Sequence, residues 1–163
     1  MDEVFPLVDE SGNVTGSALR SECHNGSKLL HPVIHLHIYN KAGELLLQKR
    51  SMDKDIQPGK WDTSVGGHVD FGENIETALR REAQEELGIN GFTPLFLRSY
   101  IFESEIEKEM VYSYKTICEG PFEFDPNEID AIRFWNLEEI RKHLNTSVFT
   151  PNFEDEFVHL NSI

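Results

Sequence analysis

Three glutamates in the middle of the chain have a spacing that can build a cation site. Glu82, Glu85 and Glu86 lie close together in the sequence. Read as an α-helix at about 100° per residue, they fall within roughly 100° of arc, so three carboxylates converge on one patch. Like charges this close repel one another, and Mg²⁺ or Mn²⁺ prefers carboxylate oxygens as ligands. The pattern therefore predicts a metal-binding helix, and a surface helix that carries glutamates for solubility is the alternative.

The same segment has the apolar periodicity of a packed helix. Apolar residues recur at every fourth position, at Ile75, Leu79, Ala83 and Leu87, which is typical of one buried helix face. Asn74 is a suitable N-cap, and Gly88 is a suitable C-terminal stop. The carboxylate patch lies beside this apolar face and not opposite to it, which predicts that the patch borders a cleft.

Fixed spacing upstream of the glutamates favours the metal-binding helix over a surface helix that carries glutamates for solubility. Five residues separate Gly67 from Glu73, and seven more separate Glu73 from Arg81. Arg81 stands four positions before Glu85, close enough on a helix to brace it. Together with the run from Arg81 to Ile89, this arrangement fits every position of the Nudix box. The chain therefore resembles the Nudix hydrolase superfamily.

This resemblance implies a fold and a reaction. The fold is an α/β class fold, the Nudix α/β/α sandwich with a mixed central sheet. The reaction is Mg²⁺-dependent hydrolysis of a diphosphate linked to another group, with Mn²⁺ as a second suitable ion. The residues with implied catalytic roles are Glu73, Arg81, Glu82, Glu85 and Glu86. The three box glutamates hold the metal in such enzymes, often with a backbone carbonyl that corresponds to Gly66. The sequence does not decide which glutamate takes the proton from water.

Outside the box, the chain resembles the isopentenyl-diphosphate isomerase branch of the same superfamily. The resemblance rests on residues 46–51, Lys54 and residues 58–62, with two histidines upstream. Those isomerases hold a metal with three histidines and two glutamates. The corresponding residues here are His24, His31, His68, Glu107 and Glu109, and the diphosphate-binding basic pair corresponds to Arg50 and Lys54.

Two departures from the isomerase pattern favour hydrolysis. Gly66 stands where the isomerases have their catalytic cysteine, and a glycine side chain cannot move a proton to or from carbon. The box, which is degenerate in the isomerases, is intact here. We therefore predict a pyrophosphatase that acts on a nucleoside diphosphate derivative or a related small organic diphosphate. An isomerase and a catalytically silent nucleotide-binding sensor are the alternatives.

Several of these residues also have simpler interpretations. We interpret His35 and His37 as hydrogen-bonded surface or core residues. Glu107 and Glu109 alternate on a predicted strand and face one way, which suits a metal ligand or a solvated hairpin edge. Aromatic candidates for stacking on the substrate are Trp61, Phe71, Phe102, Tyr112 and Phe149, although aromatic residues in an α/β core are usually packing residues.

Composition limits the partners. The chain has 163 residues, which suits a single domain over residues 1–163. Fifteen basic and twenty-nine acidic residues give a formal charge of −14, which disfavours binding of a nucleic acid polymer. We expect no membrane span and no secretory signal, and two cysteines without metal or redox spacing favour a cytoplasmic protein. A homodimer is common among proteins of this kind.

Turn signals and alternation predict the remaining elements. The predicted strands cover residues 4–9, 14–19, 31–39, 44–50, 93–103, 110–119 and 128–135, with a short strand near Thr63. Further helices are predicted over residues 137–144 and 152–160. On residues 31–39, Ile34 and Ile38 face one side of the sheet, and the two histidines between them face the other side.

Overall fold

The structure is a computed structural model that describes residues 2–54 and 56–160. Its strands are β1 (Val4–Val8), β2 (Val14–Leu19), β3 (Leu30–Tyr39), β4 (Leu45–Arg50), β5 (Trp61–Asp62), β6 (Val65–His68), β7 (Leu95–Glu103), β8 (Lys108–Ile117) and β9 (Ile129–Trp135). Its helices are α1 (Arg20–Cys23), α2 (Ile75–Leu87), α3 (Leu137–His143) and α4 (Pro151–Leu160).

The central sheet is mixed, as predicted. Within the described residues it has seven strands in the order β5-β4-β3-β8-β7, and β6 and β9 pair with β3 and β4 respectively. β3 and β8 run parallel, and the other pairs are antiparallel. β1 and β2 form a separate hairpin. β3 is thus the strand around which the sheet is organised.

Helix α2 packs its apolar face on the sheet. Leu79, Ala83 and Leu87 are fully buried in one core cluster with Ile34 and Leu36 of β3. The side chain of Asn74 accepts a 2.8 Å hydrogen bond from the backbone N–H of Thr77, and Gly88 ends the helix in the left-handed region at φ 66°. Both predicted helix boundaries are therefore confirmed.

A second core lies on the opposite face of the sheet. It joins Leu45 and Leu47 of β4 to Ile140 of α3 and to Phe153 and Phe157 of α4. Helices thus cover both faces of the sheet, and the predicted α/β/α sandwich is confirmed.

Three local predictions differ from the structure. β8 begins at Lys108, so that Glu109 lies within it. The short strand predicted near Thr63 is present as two strands, β5 and β6, on either side of it. Between them, the buried hydroxyl of Ser64 accepts a 3.0 Å hydrogen bond from the Ile38 N–H and donates to the Leu46 carbonyl. The four-residue helix α1 was not predicted. None of the described helices has the length and apolarity needed to cross a membrane.

We predict that Asn74→Ala destabilises the fold by about 1 kcal/mol, because the first turn of α2 loses its side-chain acceptor. Urea unfolding curves measure the change in the free energy of unfolding. Asn90→Ala, at an exposed position just beyond the same helix, is the control and should change it by less than about 0.5 kcal/mol. Equal effects of the two substitutions would contradict the capping role.

Candidate active site and metal centre

Strand β6 brings the loop before α2 against the carboxylate face of that helix. Gly66 and Gly67 pair with His35 and Ile34 of β3. A Cβ atom at Gly67 would lie 2.2 Å from Cδ of Glu82. Glycine is therefore required at this position for the carboxylate of Glu82 to occupy its place.

Arg81 binds the acidic residues of the box together. Its Nε and Nη2 atoms donate to the two oxygens of Glu73 at 2.8 and 3.0 Å, and Nη1 donates to Glu82 at 2.8 Å and Glu85 at 3.3 Å. Nη2 also donates to the carbonyl of His68 at 3.0 Å. The hydrogen bond from Arg81 lowers the pKa of Glu73. The predicted brace on Glu85 is present, but the shorter bonds go to Glu73 and Glu82.

When Glu82 and Glu86 are ionised, their negative charge exceeds what the neighbouring protein groups balance. One oxygen of Glu86 accepts a 2.8 Å hydrogen bond from Gln48, whereas Oε2 is buried and has no hydrogen-bond partner within the described residues. Burial raises the pKa of Glu86 well above its usual range, and the charge of Glu82 adds to this. Burial also raises the pKa of Glu82 against the opposing effect of Arg81. A divalent cation between these oxygens would offset both costs, so the donor set fits Mg²⁺ or Mn²⁺.

Glu85 differs from its two neighbours in exposure. Its side chain is 58% exposed, compared with 15% for Glu82. All three glutamates line one cleft of about 590 Å³, which also includes Gly66 and Gly67. The carboxylate patch therefore borders a cleft beside the apolar helix face, as the sequence pattern predicts.

A second group of potential ligands adjoins the cleft, and two of its members, His68 and Glu107, line it. One ligand atom from each of His24, His31, His68 and Glu107 lies within 4.8 Å of the others. Nε2 of each histidine and Oε2 of Glu107 are buried without a hydrogen-bond partner in the described part of the chain. Nε2 of His24 lies 2.7 Å from Oε2 of Glu107 without forming a well-directed hydrogen bond. Four unpaired polar atoms that converge on one point fit a bound transition-metal ion.

The rings of this histidine group are held in the form that binds metal. Nδ1 of His31 contacts the carbonyl of Leu29 at 2.9 Å, which directs Nε2 toward the group. The ring of His68 stacks on Phe5 with centroids 4.5 Å apart. Burial lowers the pKa values of His31 and His68, which favours the neutral imidazole form that binds metal.

Glu109 lies at the edge of this histidine group. Its Oε2 is 3.8 Å from Nε2 of His68, and the residue is buried. Burial raises the pKa of Glu109 to about 7, and the charge of Glu107 adds to this. Glu107 and Glu109 therefore face the cleft together, in agreement with their predicted alternation.

The cleft is strongly acidic. Among the described residues, nine acidic side chains and three basic ones, Arg20, Arg50 and Lys54, line it. Arg50 donates to the carbonyl of Ile56 at 3.1 Å, and Lys54 forms a 3.0 Å ion pair with Glu128. A diphosphate would meet repulsion in this cleft unless cations screened the carboxylates.

The five aromatic candidates for substrate stacking are absent from the described lining of the cleft. Trp61 packs against Trp135 at a centroid distance of 5.3 Å, and Phe149 is buried beside Trp135. Both are packing residues, because their rings complete the second core. Phe71 is exposed on the surface.

Several residues that line the cleft were not predicted from the sequence. Arg20 reaches it from α1, Gln48 bonds to Glu86, and Asn152 and His35 approach from α4 and β3. His35 and His37 are hydrogen-bonded core residues, as predicted, but His35 also contributes to the cleft. Gln48 could have been found from its place on the strand beside the box, whereas the others depend on long-range contacts that spacing does not encode.

Comparison with known proteins shows the family. The NUDIX domain family matches residues 29–156. The chain is 34% identical over 150 residues to an uncharacterized Nudix hydrolase of Yersinia pestis, covering 92% of this chain and 81% of the relative. It is 32% identical over 162 residues to isopentenyl-diphosphate Delta-isomerase 2 of Photorhabdus laumondii, covering 94% of this chain and 90% of that protein. The chain belongs to the Nudix domain family.

A solved structure supports the same fold. The crystal structure of DR0079 from Deinococcus radiodurans has a TM-score of 0.78 and 27% identity, over 91% of this chain and 92% of that one. A MutT protein of Methanosarcina mazei has a TM-score of 0.67 and 25% identity, over 83% of this chain and 98% of that one.

We predict that Gly67→Ala displaces Glu82 and weakens binding of Mn²⁺ by about tenfold or more, because the added methyl group overlaps the carboxylate. Isothermal titration of Mn²⁺ into metal-free protein measures the affinity. Gly16→Ala is the matched control, since a Cβ atom there has no neighbour within 4 Å. Unchanged affinity in Gly67→Ala would show that Glu82 is not a ligand.

Proposed function

We propose that this chain is a Mg²⁺-dependent Nudix pyrophosphatase that cleaves the diphosphate linkage of a small organic diphosphate by attack of water at phosphorus. Family membership and the hydrolase names of its relatives support a hydrolase that acts on pyrophosphate bonds. The observation that carries the proposal is the buried Oε2 of Glu86, which has no hydrogen-bond partner in the described residues, together with the close approach of Gly67 to the neighbouring carboxylate of Glu82.

When bound at this patch, Mg²⁺ would screen the phosphate charge, make the attacking water more acidic and stabilise the leaving oxygen. Glu82 and Glu86 would hold the ion, with Glu85 at the mouth of the cleft. Arg81 positions the box carboxylates through its contacts with Glu73, Glu82 and Glu85. One carboxylate of the set takes the proton of the attacking water as its oxygen bonds to phosphorus and the bridging P–O bond breaks.

Three basic residues are suited to bind the substrate phosphates. Arg50 and Lys54 lie on the side of the cleft formed by the β4 end, and Arg20 enters from α1. Their ion pairs with acidic neighbours are partly exposed, so exchanging a carboxylate partner for a phosphate costs little. The substrate class includes nucleoside diphosphate derivatives and other compact diphosphates.

The isomerase is a second candidate because its histidine group is assembled in this chain. Several isopentenyl-diphosphate isomerases are also about as similar in sequence as the hydrolases are. The missing cysteine at Gly66 argues against it. Conversion of isopentenyl to dimethylallyl diphosphate by the purified protein would support this candidate, and no conversion at high enzyme concentration would remove it.

We predict that Glu86→Gln lowers kcat by about 10²-fold or more on any diphosphate that the wild type hydrolyses, because a metal ligand is lost. Product formation is measured by anion-exchange chromatography over a panel of nucleotide sugars, dinucleotides, coenzyme A and isoprenoid diphosphates, with Mg²⁺ or Mn²⁺. Glu76→Gln is the control, since Glu76 is an exposed residue of the same helix whose partner is Arg80. Equal turnover in both variants would contradict the assignment of Glu86.

We also predict that the wild type has two metal sites of different chemistry and that His31→Gln removes one of them. The imidazoles of His24, His31 and His68 suit Zn²⁺ or Mn²⁺, whereas the box carboxylates suit Mg²⁺. Elemental analysis after dialysis against Zn²⁺ gives the stoichiometry. His143→Gln is the control, because His143 contacts the carbonyl of Glu139 outside the cleft. Retention of the same zinc content in His31→Gln would refute the histidine site.

A further inference from the structure

A buried polar cluster connects helix α4 to the floor of the cleft. Oε1 of Glu156 lies 3.0 Å from Nδ1 of His35, and the two oxygens of Glu156 also contact Nε2 of His37 and accept from the hydroxyl of Tyr100. Glu156 has only 1% of its surface exposed. Three donors that surround one buried carboxylate keep it ionised, and the pKa of Glu156 lies well below its usual range because the two histidines outweigh its burial.

The two histidines of this cluster have different surroundings. His37 is fully buried, its Nε2 contacts Ser113 at 3.1 Å as well as Glu156, and its Nδ1 has no partner in the described residues. The side chain of His35 is 11% exposed and lines the cleft. Its Nε2 lies 3.8 Å from the point where a Cβ atom at Gly66 would stand. With Nδ1 facing Glu156, Nε2 of His35 is the ring nitrogen on the cleft side.

The location of the positive charge follows from these contacts. A buried carboxylate needs a cation nearby. Nδ1 of His37 is buried without a partner in the described residues, whereas Nε2 of His35 faces the cleft. Burial alone would lower the pKa of His35, but the charge of Glu156 and its hydrogen bond raise the pKa to about 9.

We infer that His35 is a substrate-contacting residue, whose Nε2–H donates a hydrogen bond to an anionic oxygen of the diphosphate, and that Glu156 is the positioning residue that fixes its ring. The inference rests on the proposed function for its effect on turnover, since it adds a phosphate contact to the same cleft. Gly66 lies beside the ring without a side chain, since a Cβ atom there would stand 3.4 Å from Cδ2 of His35. Within the described lining, His35 is then a cationic contact that enters from the sheet, opposite the carboxylates of α2.

A pair of matched substitutions tests this inference. Asparagine at position 35 keeps an amide near the Nδ1 position that faces Glu156 and removes the nitrogen that faces the cleft. Glutamine at position 37 keeps an amide near the Nε2 position that faces Glu156 and removes the buried Nδ1. Both variants disturb the cluster to a similar extent, but only His35→Asn changes the cleft.

The probe is methylenediphosphonate with Mg²⁺, which binds without being hydrolysed, and calorimetry gives its Kd. We expect His35→Asn to raise Kd by about tenfold or more, because a charge-assisted hydrogen bond is lost. His37→Gln should stay within about threefold of the wild type at a similar loss of Tm. Equal weakening in the two variants, unchanged binding in His35→Asn, or no binding to the wild type would each overturn the inference.

A measurement on the wild type covers the case in which His35→Asn does not fold. The ¹⁵N signal of His35 Nε2 should shift on addition of methylenediphosphonate, and that of His37 should not; in Glu156→Gln the response of His35 should be lost. A wild-type His35 signal that does not respond would overturn the inference. The two proposals fail separately. Equal turnover in the wild type and Glu86→Gln would contradict the hydrolase assignment, whereas a His35 signal that does not respond to the analogue would contradict the inference on His35.

Discussion

The guanidinium of Arg81 is the interaction on which the carboxylate cleft depends. It bonds to Glu73, Glu82 and Glu85 and to the backbone before α2, so one rigid cation fixes the loop and the helix relative to each other. Its bond to Glu73 is bidentate and only partly exposed to solvent, which makes this residue structural as well as electrostatic. Arg81 does not reach the free oxygen of Glu86, and this remaining charge is what a divalent cation would neutralise.

Strand β3 connects this patch to the rest of the cleft. One face of the strand carries three histidines in three settings. His31 belongs to the potential metal group, His35 lies at the floor of the cleft, and His37 is enclosed beside Ser113. The hairpin of β1 and β2 covers the first of these through Phe5, which stacks on His31 and His68. A single strand thus carries a proposed metal ligand, a proposed phosphate contact and an enclosed histidine in sequence order.

The sequence predicted those features that depend on local periodicity and spacing. The limits of α2, the hairpin and the order of the strands follow from caps, turns and alternation, and the box glutamates follow from fixed gaps. The contact of Glu156 with His35 spans 121 positions, and no periodic signal connects them. Similarly, the approach of Arg20 to the cleft depends on the short helix α1, which has too few residues to show a helical pattern.

We propose that the carboxylates of α2 hold a divalent cation against a diphosphate. Crystals grown with Mn²⁺ and methylenediphosphonate, measured at the manganese absorption edge, test it directly. We expect an anomalous peak within coordination distance of Glu82 and Glu86 and in contact with a phosphonate oxygen. An ordered analogue in the cleft with no manganese at these glutamates would contradict it.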